Sequence, residues 1–350
     1  PDRPRFVPND PMYPQQWHLD AINSPEAWMH TRGRGAVIAV IDTGVAYKDF
    51  EHRGVIAKAV PDLAGVEMVS GKSFVANGLP DGLDDHAHGT HVAGTIAQAT
   101  DNGVGVAGVA HQAAIMPLKV LAANGGGSVA DISNAIRYAA DNGADVINMS
   151  LGTTQLYDGD CDDVDAYSRA LAAAFGRLRA AGAVAVAASG NDGSSSKLAS
   201  PACIASVVSV GAIDDADRSV ADFTNRGPNL DLLAPGVAIV SDGLRGGVDT
   251  KSGTSMASPH VAGAFALLMA EAPWASPDLL EQVLKENGQR PTVRLGGNEA
   301  VTIKVDAALT ALLRLVPTAT LEPPSPTPAP PTATSAPATA TPTAAPASPT

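Results

Sequence analysis

Short apolar runs alternate with longer runs of helical period along most of this chain. Buried strands are predicted at residues 36–41, 114–121, 146–149, 184–188 and 207–211. Helices are predicted at residues 88–99, 129–141, 163–181 and 255–271, and another begins at 276–277 with a serine N-cap followed by proline. Apolar strands that alternate with helices are typical of a mostly parallel sheet covered on both faces. The pattern therefore predicts a three-layer α/β fold, with functional groups beyond the carboxyl ends of the strands.

The end of the chain has a different composition. Residues 317–350 consist almost entirely of Pro, Ala, Thr and Ser, hold 11 of the 27 prolines, and carry one charge, on Glu322. Such a segment cannot bury enough apolar surface to offset the entropy lost on ordering. We expect residues 1–316 to form a single domain and residues 317–350 to be a disordered linker or stalk.

The net charge of −13 lies almost wholly on residues 1–316. A strongly acidic domain repels phosphates, so we expect no nucleic-acid partner, whereas calcium binding is compatible with this charge. No apolar run in the sequence approaches the length of a membrane span. The chain starts at Pro1 without a methionine, which is typical of a processed product, so the lack of a signal peptide carries little weight.

Three phrases hold residues suited to nucleophilic catalysis. Asp42 follows an apolar run, where a carboxylate can fix the orientation of an imidazole. His88 opens a helix and can act as a general base. Ser255 lies in a turn of small residues at the start of an apolar helix, whose N-terminus stabilises negative charge. Each phrase alone could be an ordinary turn or cap, but the order Asp, His, Ser matches one chain order of the catalytic triad.

Two other hydrolase classes fit these residues less well. His86, His88 and His91 have a spacing found in zinc hydrolases, but Thr90 stands where such a site needs an aspartate. The esterase motif Gly-x-Ser-x-Gly is not met, because Ala257 replaces its second glycine, and esterases carry the order Ser, acid, His. We expect His91 to pack inside the domain and His86 to be a solvated loop residue.

Four motifs, taken together, resemble those of the subtilisin-like serine proteases, the subtilases. They are VIDTGV at 40–45, HGTHVAGT at 88–95, ASGNDG at 188–193 and GTSMASPH at 253–260, and the resemblance covers roughly residues 9–315. It implies a subtilisin-like fold in which residues 1–316 form the peptidase catalytic domain. It also implies a secreted serine endopeptidase with the triad Asp42, His88 and Ser255, which forms an acyl-enzyme on Ser255. Asn191 and the backbone N–H of Ser255 would form the oxyanion hole.

The same resemblance bears on partners. It implies polypeptide substrates and an inhibitory propeptide before maturation, and we expect a monomer. A catalytically inactive subtilase that serves as a surface adhesin or scaffold is the alternative. It is disfavoured because all four catalytic positions hold competent residues.

The resemblance implies a cleft for an extended peptide. The peptide would lie as an added strand between two backbone segments, with main-chain hydrogen bonds providing affinity. The residues implied are Gly125, Gly126, Gly127, Ser150, Leu151, Gly152, Ala188, Ser189 and Gly190. Thr153 stands where many relatives carry glycine, so the preferred substrate side chain stays open.

The resemblance further implies a calcium site. Residues 100–106 resemble the calcium loop of the family, and residues 8–11 resemble the amino-terminal arm of its thermitase-like members. The implied ligands are the side chains of Asp10, Asp62 and Asn102 and the backbone carbonyls of Ala99, Val104 and Val106. This set of oxygens suits Ca²⁺, although these acids could also be ordinary surface residues. Asp49 is the alternative to Asp62, because residues 46–59 look like an insertion.

The two cysteines are too few for a disulfide scaffold. The family resemblance implies a single bridge between Cys161 and Cys203. Two buried free thiols are the alternative.

Overall fold

The computed structural model describes residues 4–52, 55–76, 79–215 and 219–315, and the expected linker at 317–350 lies outside this part of the chain. The strands are β1 Val37–Asp42, β2 Phe50–His52, β3 Val55–Ala57, β4 Lys72–Ser73, β5 Ala114–Lys119, β6 Val146–Met149, β7 Leu156–Asp158, β8 Val184–Ala188, β9 Lys197–Ala199, β10 Val208–Ile213, β11 Leu232–Pro235, β12 Ile239–Asp242, β13 Val248–Lys251, β14 Gln289–Leu295 and β15 Asn298–Thr302. The helices are α1 Trp17–Ala21, α2 Ser24–Ala27, α3 His88–Ala97, α4 Val129–Asp141, α5 Ala166–Ala180, α6 Thr254–Glu271, α7 Pro277–Glu286 and α8 Val305–Leu313.

A large sheet has the strand order β14-β15-β11-β10-β8-β6-β1-β5-β4. Neighbours from β15 to β4 are parallel, and β14 joins the edge antiparallel to β15. β1 lies between β6 and β5, and its last residue, Asp42, is in register with Lys119 of β5. Because parallel strands end at the same edge, the residues that follow β1, β5, β6 and β8 are brought together there.

Helices cover both faces of this sheet. On one face α3 and α6 pack over strand residues such as Val40, with Phe265 of α6 fully buried. On the other face α4 and α5 pack over residues such as Ile41, with Phe175 of α5 fully buried. Neighbouring residues of β1 thus point into different cores, which explains its continuous apolar sequence. The expected three-layer α/β fold is confirmed. None of the helices in the described ranges combines the length and apolar character needed to cross a membrane.

Several boundaries agree with the predicted ones, and others do not. α4, β6 and β8 have the predicted bounds. α5 begins later than predicted because Asp165 caps it, accepting a hydrogen bond from Ser168 N at 2.7 Å. The hairpin of β14 and β15 and the helix α8 were not predicted. Within β14, Gln289–Leu295, a proline and charged residues obscure the alternation with apolar residues.

A disulfide joins Cys161 and Cys203, so the expected bridge is present and the free-thiol alternative is wrong. The two cysteines are 42 residues apart and fully buried. The antiparallel pair formed by β7 and β9 connects the same two regions of the chain. The bridge therefore reinforces a contact that the backbone already makes.

The beginning and the end of the described domain are hydrogen-bonded to each other. Val305 N donates to Ile22 O at 2.9 Å, and Asn23 Nδ2 donates to Asp306 Oδ1 at 2.8 Å. Lys304 Nζ also donates to Asn23 Oδ1, at 3.2 Å. These bonds hold α8 beside α2.

Candidate active site

Asp42 and His88 meet at the carboxyl edge of the sheet. Asp42 ends β1 and is fully buried, whereas His88 is the first residue of α3 and has 22% of its side chain exposed. His88 Nδ1 lies 2.7 Å from Asp42 Oδ1. Because a carboxylate can only accept, Nδ1 carries the proton and donates it, and Nε2 of the neutral ring remains as a base.

The turn after Asp42 holds this pair in place. Thr43 N donates to Asp42 Oδ1 at 2.7 Å, and Thr43 Oγ1 accepts from Gly89 N at 2.9 Å. A Cβ atom at Gly89 would lie 2.2 Å from Gly44 O and 3.0 Å from Asp42 Cβ. The absence of a side chain at Gly89 therefore allows α3 to approach the Asp42 turn. Within the described residues, no donor reaches Asp42 Oδ2.

A buried carboxylate shapes the loop that enters α3. Asp84 accepts from the backbone N–H groups of His86, Ala87 and Thr90 and from Thr90 Oγ1, at 2.5–3.2 Å. These bonds hold Ala87, the N-cap of α3, at φ 84°, in the left-handed region that favours glycine. Nothing in the sequence indicates this strain next to His88.

Opposing effects act on the His88 imidazole. Burial favours the neutral ring, but the charge and hydrogen bond of Asp42, together with the charge of Asp84, favour the imidazolium, while Lys251 opposes it. The sum raises the pKa of His88 above its usual value of 6.5. The raised pKa makes the neutral ring a stronger base, and the imidazolium that it forms can return the proton.

Ser255 lies in the first turn of α6, against the end of β6. Ser150 Oγ donates to Ser255 O at 2.7 Å, and Ser255 Oγ donates to Ser150 O at 3.2 Å. Ser255 O is available because Pro259, four residues later, has no N–H to donate to it. The Ser255 proton is directed to Ser150 in this conformation. Catalytic hydrogen bonds are often long or misaligned before a substrate binds.

Asn191 follows β8 and caps α6 from outside the helix. Its Oδ1 accepts from Thr254 N at 2.8 Å and from Thr254 Oγ1 at 2.9 Å, which leaves Nδ2 as a donor. A Cβ atom at Gly253, where φ is 152°, would lie 3.4 Å from Asn191 Nδ2 and 3.7 Å from Ser255 N. The two predicted oxyanion donors thus border one small space that Gly253 leaves empty. The orienting role of Thr254 was not predicted.

A cleft of about 460 Å³ lies beside His88. It is lined by the predicted residues His88, Gly125, Gly126, Gly127, Ser150, Leu151 and Gly152, and also by Leu121, Val129, Ile132 and Tyr167. Thr153 lines it too, but its hydroxyl donates to Gln155 O at 2.7 Å and accepts from Ser200 N at 3.1 Å. The walls are therefore mainly apolar side chains and backbone.

The remaining predicted cleft segment lies deeper. Ala188 ends β8, and Ser189 is fully buried, with its N–H donating to Val210 O. Gly190 N donates to Thr254 Oγ1 at 3.2 Å. In this structure the segment positions Thr254, and Thr254 in turn orients the Asn191 amide.

The other two histidines of the motif have separate environments. His91 is fully buried in α3, with Nε2 3.0 Å from Ile239 O, whereas His86 is exposed at the rim of the cleft. Among the described residues, no group of three or more His, Cys, Asp or Glu side chains is arranged to hold a metal ion. The spacing of the three histidines therefore does not correspond to a shared site.

Asp10 and Asp62 both contact the loop at 99–106. Asp10 accepts from Asp101 N at 2.8 Å and Asn102 N at 3.3 Å, and Asp62 accepts from Val106 N and Asn102 Nδ2, both at 2.8 Å. Both carboxyls are buried, and burial raises the pKa of each despite these bonds. A divalent cation would offset the cost of burying two carboxylates, so the donor chemistry fits calcium.

The other predicted calcium ligands are placed as follows. Asp49, the alternative to Asp62, forms a surface ion pair in which its Oδ2 lies 2.9 Å from Lys58 Nζ. Asp62 is the one of these two aspartates that bonds to the loop at 99–106. Asn102 Oδ1 accepts from Val104 N at 2.8 Å, which engages its amide oxygen within the loop. Ala99 N donates to Asp62 O at 3.2 Å.

Two buried polar residues beside Asp62 were not predicted. Gln98 Nε2 donates to Asp62 Oδ2 and, at 2.7 Å, to Asp242 Oδ1. Burial and the nearby charge of Asp62 raise the pKa of Asp242 well above its usual value. Within the described part of the chain, Gln98 Oε1 and Asp242 Oδ2 have no hydrogen-bond partner. Sequence spacing offers no signal for this pair, because β12 brings Asp242 to Gln98 from 144 positions away.

Comparisons with known proteins show the family of this chain. Residues 33–304 match the subtilase family, Peptidase_S8. A thermophilic serine proteinase from Bacillus sp. strain AK1 is 42% identical over 273 residues, which cover 76% of this chain and 60% of that protein. An extracellular protease of Xanthomonas campestris is 35% identical, over 88% of this chain and 57% of its own length.

This chain therefore spans less than two thirds of the length of those two relatives. A solved structure of proteases from Pseudoalteromonas arctica superposes with a TM-score of 0.71 at 30% identity, and covers 87% of this chain and 99% of that one. The matched family, the relatives and the shared fold show that this chain belongs to the subtilase family of subtilisin-like serine proteases.

Proposed function

We propose that this chain is the catalytic domain of a secreted serine endopeptidase that cleaves polypeptides. The observation that carries the proposal is the 2.7 Å contact between Asp42 Oδ1 and His88 Nδ1, beside a cleft that holds the predicted peptide-binding backbone. Secretion is supported by the similarity to the extracellular protease of Xanthomonas campestris.

The proposed reaction proceeds through an acyl-enzyme. Ser255 Oγ attacks the scissile carbonyl carbon while His88 Nε2 takes the hydroxyl proton, and Asp42 stabilises the resulting imidazolium. The oxyanion accepts hydrogen bonds from Asn191 Nδ2 and Ser255 N. His88 then gives its proton to the amine, which leaves as the C–N bond breaks. A water molecule attacks the ester in the same way, and free Ser255 and the new carboxylic acid result.

Calcium would be held at the loop formed by residues 99–106. Asp10 and Asp62 would supply carboxylate oxygens, and Asn102 and the backbone carbonyls of Ala99, Val104 and Val106 would complete the set. The ion would neutralise the two buried carboxylates and so fasten the amino-terminal arm, which carries Asp10, to the domain.

Replacement of Ser255 tests the proposed function. Ser255→Ala is expected to lose both hydrolysis of a protein substrate and covalent labelling by a fluorophosphonate, whereas the control Ser70→Ala, at an exposed serine, keeps both. Labelling of Ser255→Ala at the parental rate would contradict the nucleophile assignment. A parent protein that is neither labelled nor active would favour the inactive adhesin or scaffold instead.

Replacement of Asn191 tests the oxyanion hole separately. Asn191→Leu is expected to lower kcat by about 100-fold to 1,000-fold with little change in KM, because the donor acts mainly in the transition state. This range is the one established for subtilisin itself. An unchanged kcat would remove Asn191 from the proposed mechanism.

A further inference from the structure

Lys119 is a fully buried lysine at the end of β5 that the proposed reaction does not use. Its Nζ donates to Thr43 O at 2.6 Å, to Asp85 Oδ1 at 2.6 Å and to Leu121 O at 2.9 Å. An ammonium has three N–H groups, so each is engaged. These acceptors belong to three different parts of the candidate active site.

The first acceptor belongs to the turn that follows Asp42. Thr43 donates from its N–H to Asp42 Oδ1 and accepts from Gly89 N with its hydroxyl. The bond from Lys119 to Thr43 O fixes the remaining polar backbone group of the same residue. Movement of the Thr43 peptide would therefore displace Asp42 relative to the start of α3.

The second acceptor belongs to the loop that delivers His88. Asp85 lies next to Asp84, which holds the backbone of that loop from the side of Thr90. Lys119 holds the loop from the side of the sheet. The loop is thus fixed by two adjacent carboxylates that face different partners.

The third acceptor belongs to the edge of the cleft. Leu121 forms a bridge with Gly127, and Ala122 N donates to Gly126 O at 2.8 Å. The backbone from Leu121 onward is therefore the base on which the segment 125–127 folds. A bond to Leu121 O connects this segment to the sheet beneath Asp42.

We propose that Lys119 is a positioning residue that holds Asp42, the His88 loop and the substrate-binding edge in one fixed arrangement. The proposal rests on the proposed function, because it assigns Lys119 a task only if Asp42 and His88 act in catalysis. A buried ammonium is well suited to this task, since loss of the Asp85 contact would leave a charge unpaired in the interior, and loss of either carbonyl would leave a buried N–H without a partner. A neutral side chain could not bind all three acceptors.

The proposal is tested with Lys119→Met and Lys119→Arg, and with Lys48→Met as the matched control. Lys48 is a partly exposed lysine whose Nζ also lies 2.6 Å from an aspartate, Asp81. Both Lys119 variants are expected to lower kcat/KM, by about 100-fold for Met, since a misplacement of about 1 Å can have that effect. Arg keeps the charge but cannot place its planar fork on the same three oxygens, so a loss of more than about tenfold is expected.

The acid limb of the pH profile of kcat/KM distinguishes a role of Lys119 in positioning the active site from a role in stability alone. The Asp42 carboxylate raises the pKa of His88, so a loosened contact lowers that pKa and shifts the acid limb of kcat/KM to lower pH. The measurements are made on folded protein, checked by circular dichroism, with active enzyme counted by fluorophosphonate titration. If Lys119→Met does not fold, Lys119→Arg decides.

Two outcomes contradict the proposal in different ways. A folded Lys119→Arg or Lys119→Met with the parental acid limb and a kcat/KM within threefold of the parent would show that Lys119 serves stability alone. If instead Ser255→Ala retains activity, the proposed function fails whatever the Lys119 variants do. Full activity of Lys48→Met is expected in either case.

Discussion

Protonation of His91 should destabilise the domain in mild acid. His91 is fully buried in α3, and its Nε2, 3.0 Å from Ile239 O, must carry the proton because a carbonyl can only accept. Within the described residues, Nδ1 has no partner, so a second proton there would be both buried and unpaired. Burial, together with the charges of Lys251 and His88, lowers the pKa of His91 to about 4, although the bond to Ile239 opposes the shift.

The size of this effect follows from the two protonation equilibria. An unfolded histidine has a pKa of about 6.5. As the pH falls below that value, the unfolded state binds a proton but the folded state does not, so the equilibrium shifts toward unfolding. Stability contributed by neutral His91 is therefore present above pH 6.5 and is lost as the pH falls toward 4. At about 1.36 kcal/mol per pKa unit, the loss from this residue is about 2 kcal/mol between pH 7.5 and pH 5.

The comparison uses His91→Gln, whose amide N–H can still donate to Ile239 O. Both proteins carry Ser255→Ala to prevent self-digestion, and urea unfolding is followed at several pH values between 7.5 and 5. His91→Gln is expected to be less stable than its parent at pH 7.5 and to lose about 2 kcal/mol less on acidification. Stability curves that run parallel over this range would refute the reasoning.

Three further outcomes are expected. Ala87→Gly should raise the free energy of unfolding by up to about 1 kcal/mol, since relief of the left-handed strain exceeds the entropic cost of glycine; a loss in urea unfolding would contradict this. Reduction of Cys161–Cys203, or replacement of both by Ser, should lower the free energy of unfolding by about 4 kcal/mol, because the bridge closes a loop with a 42-residue separation. If thiol titration shows that the bridge is reduced and urea unfolding is unchanged, the disulfide does not stabilise the domain. Added Ca²⁺ should raise Tm, because a ligand at 100 times its Kd adds about 2.7 kcal/mol to the free energy of unfolding. Asp10→Asn or Asp62→Asn should abolish most of this rise. A Tm unaffected by chelator would show that no such site exists.

The general location of the candidate site could be predicted because it follows from strand direction. Asp42 and Asn191 each follow a continuous apolar run, and parallel strands deliver such residues to one edge. The turn at Ser255 could be predicted because small residues precede a strongly apolar helix. Local pattern and one topological rule were sufficient for these positions.

The supporting residues could not be predicted because their partners are distant in sequence. A lysine at the end of β5 is most simply read as the point where the strand reaches solvent, yet Lys119 is buried among oxygens from residues 43, 85 and 121. Likewise, Thr254 orients Asn191 only because the loop after β8 reaches the start of α6. Such roles depend on packing, which periodicity does not encode.

The bonds between the two ends of the domain constrain the order in which it can form. Contact of Ile22 with Val305 closes a loop of more than 280 residues, so during synthesis it must wait until nearly the whole described domain has left the ribosome. Contacts so distant in sequence form slowly, because closing the long loop costs conformational entropy before the contact contributes any favourable free energy. Within the described domain, α1 and α2 are thus made long before α8, and the bonds that hold α8 beside α2 are among the last to form.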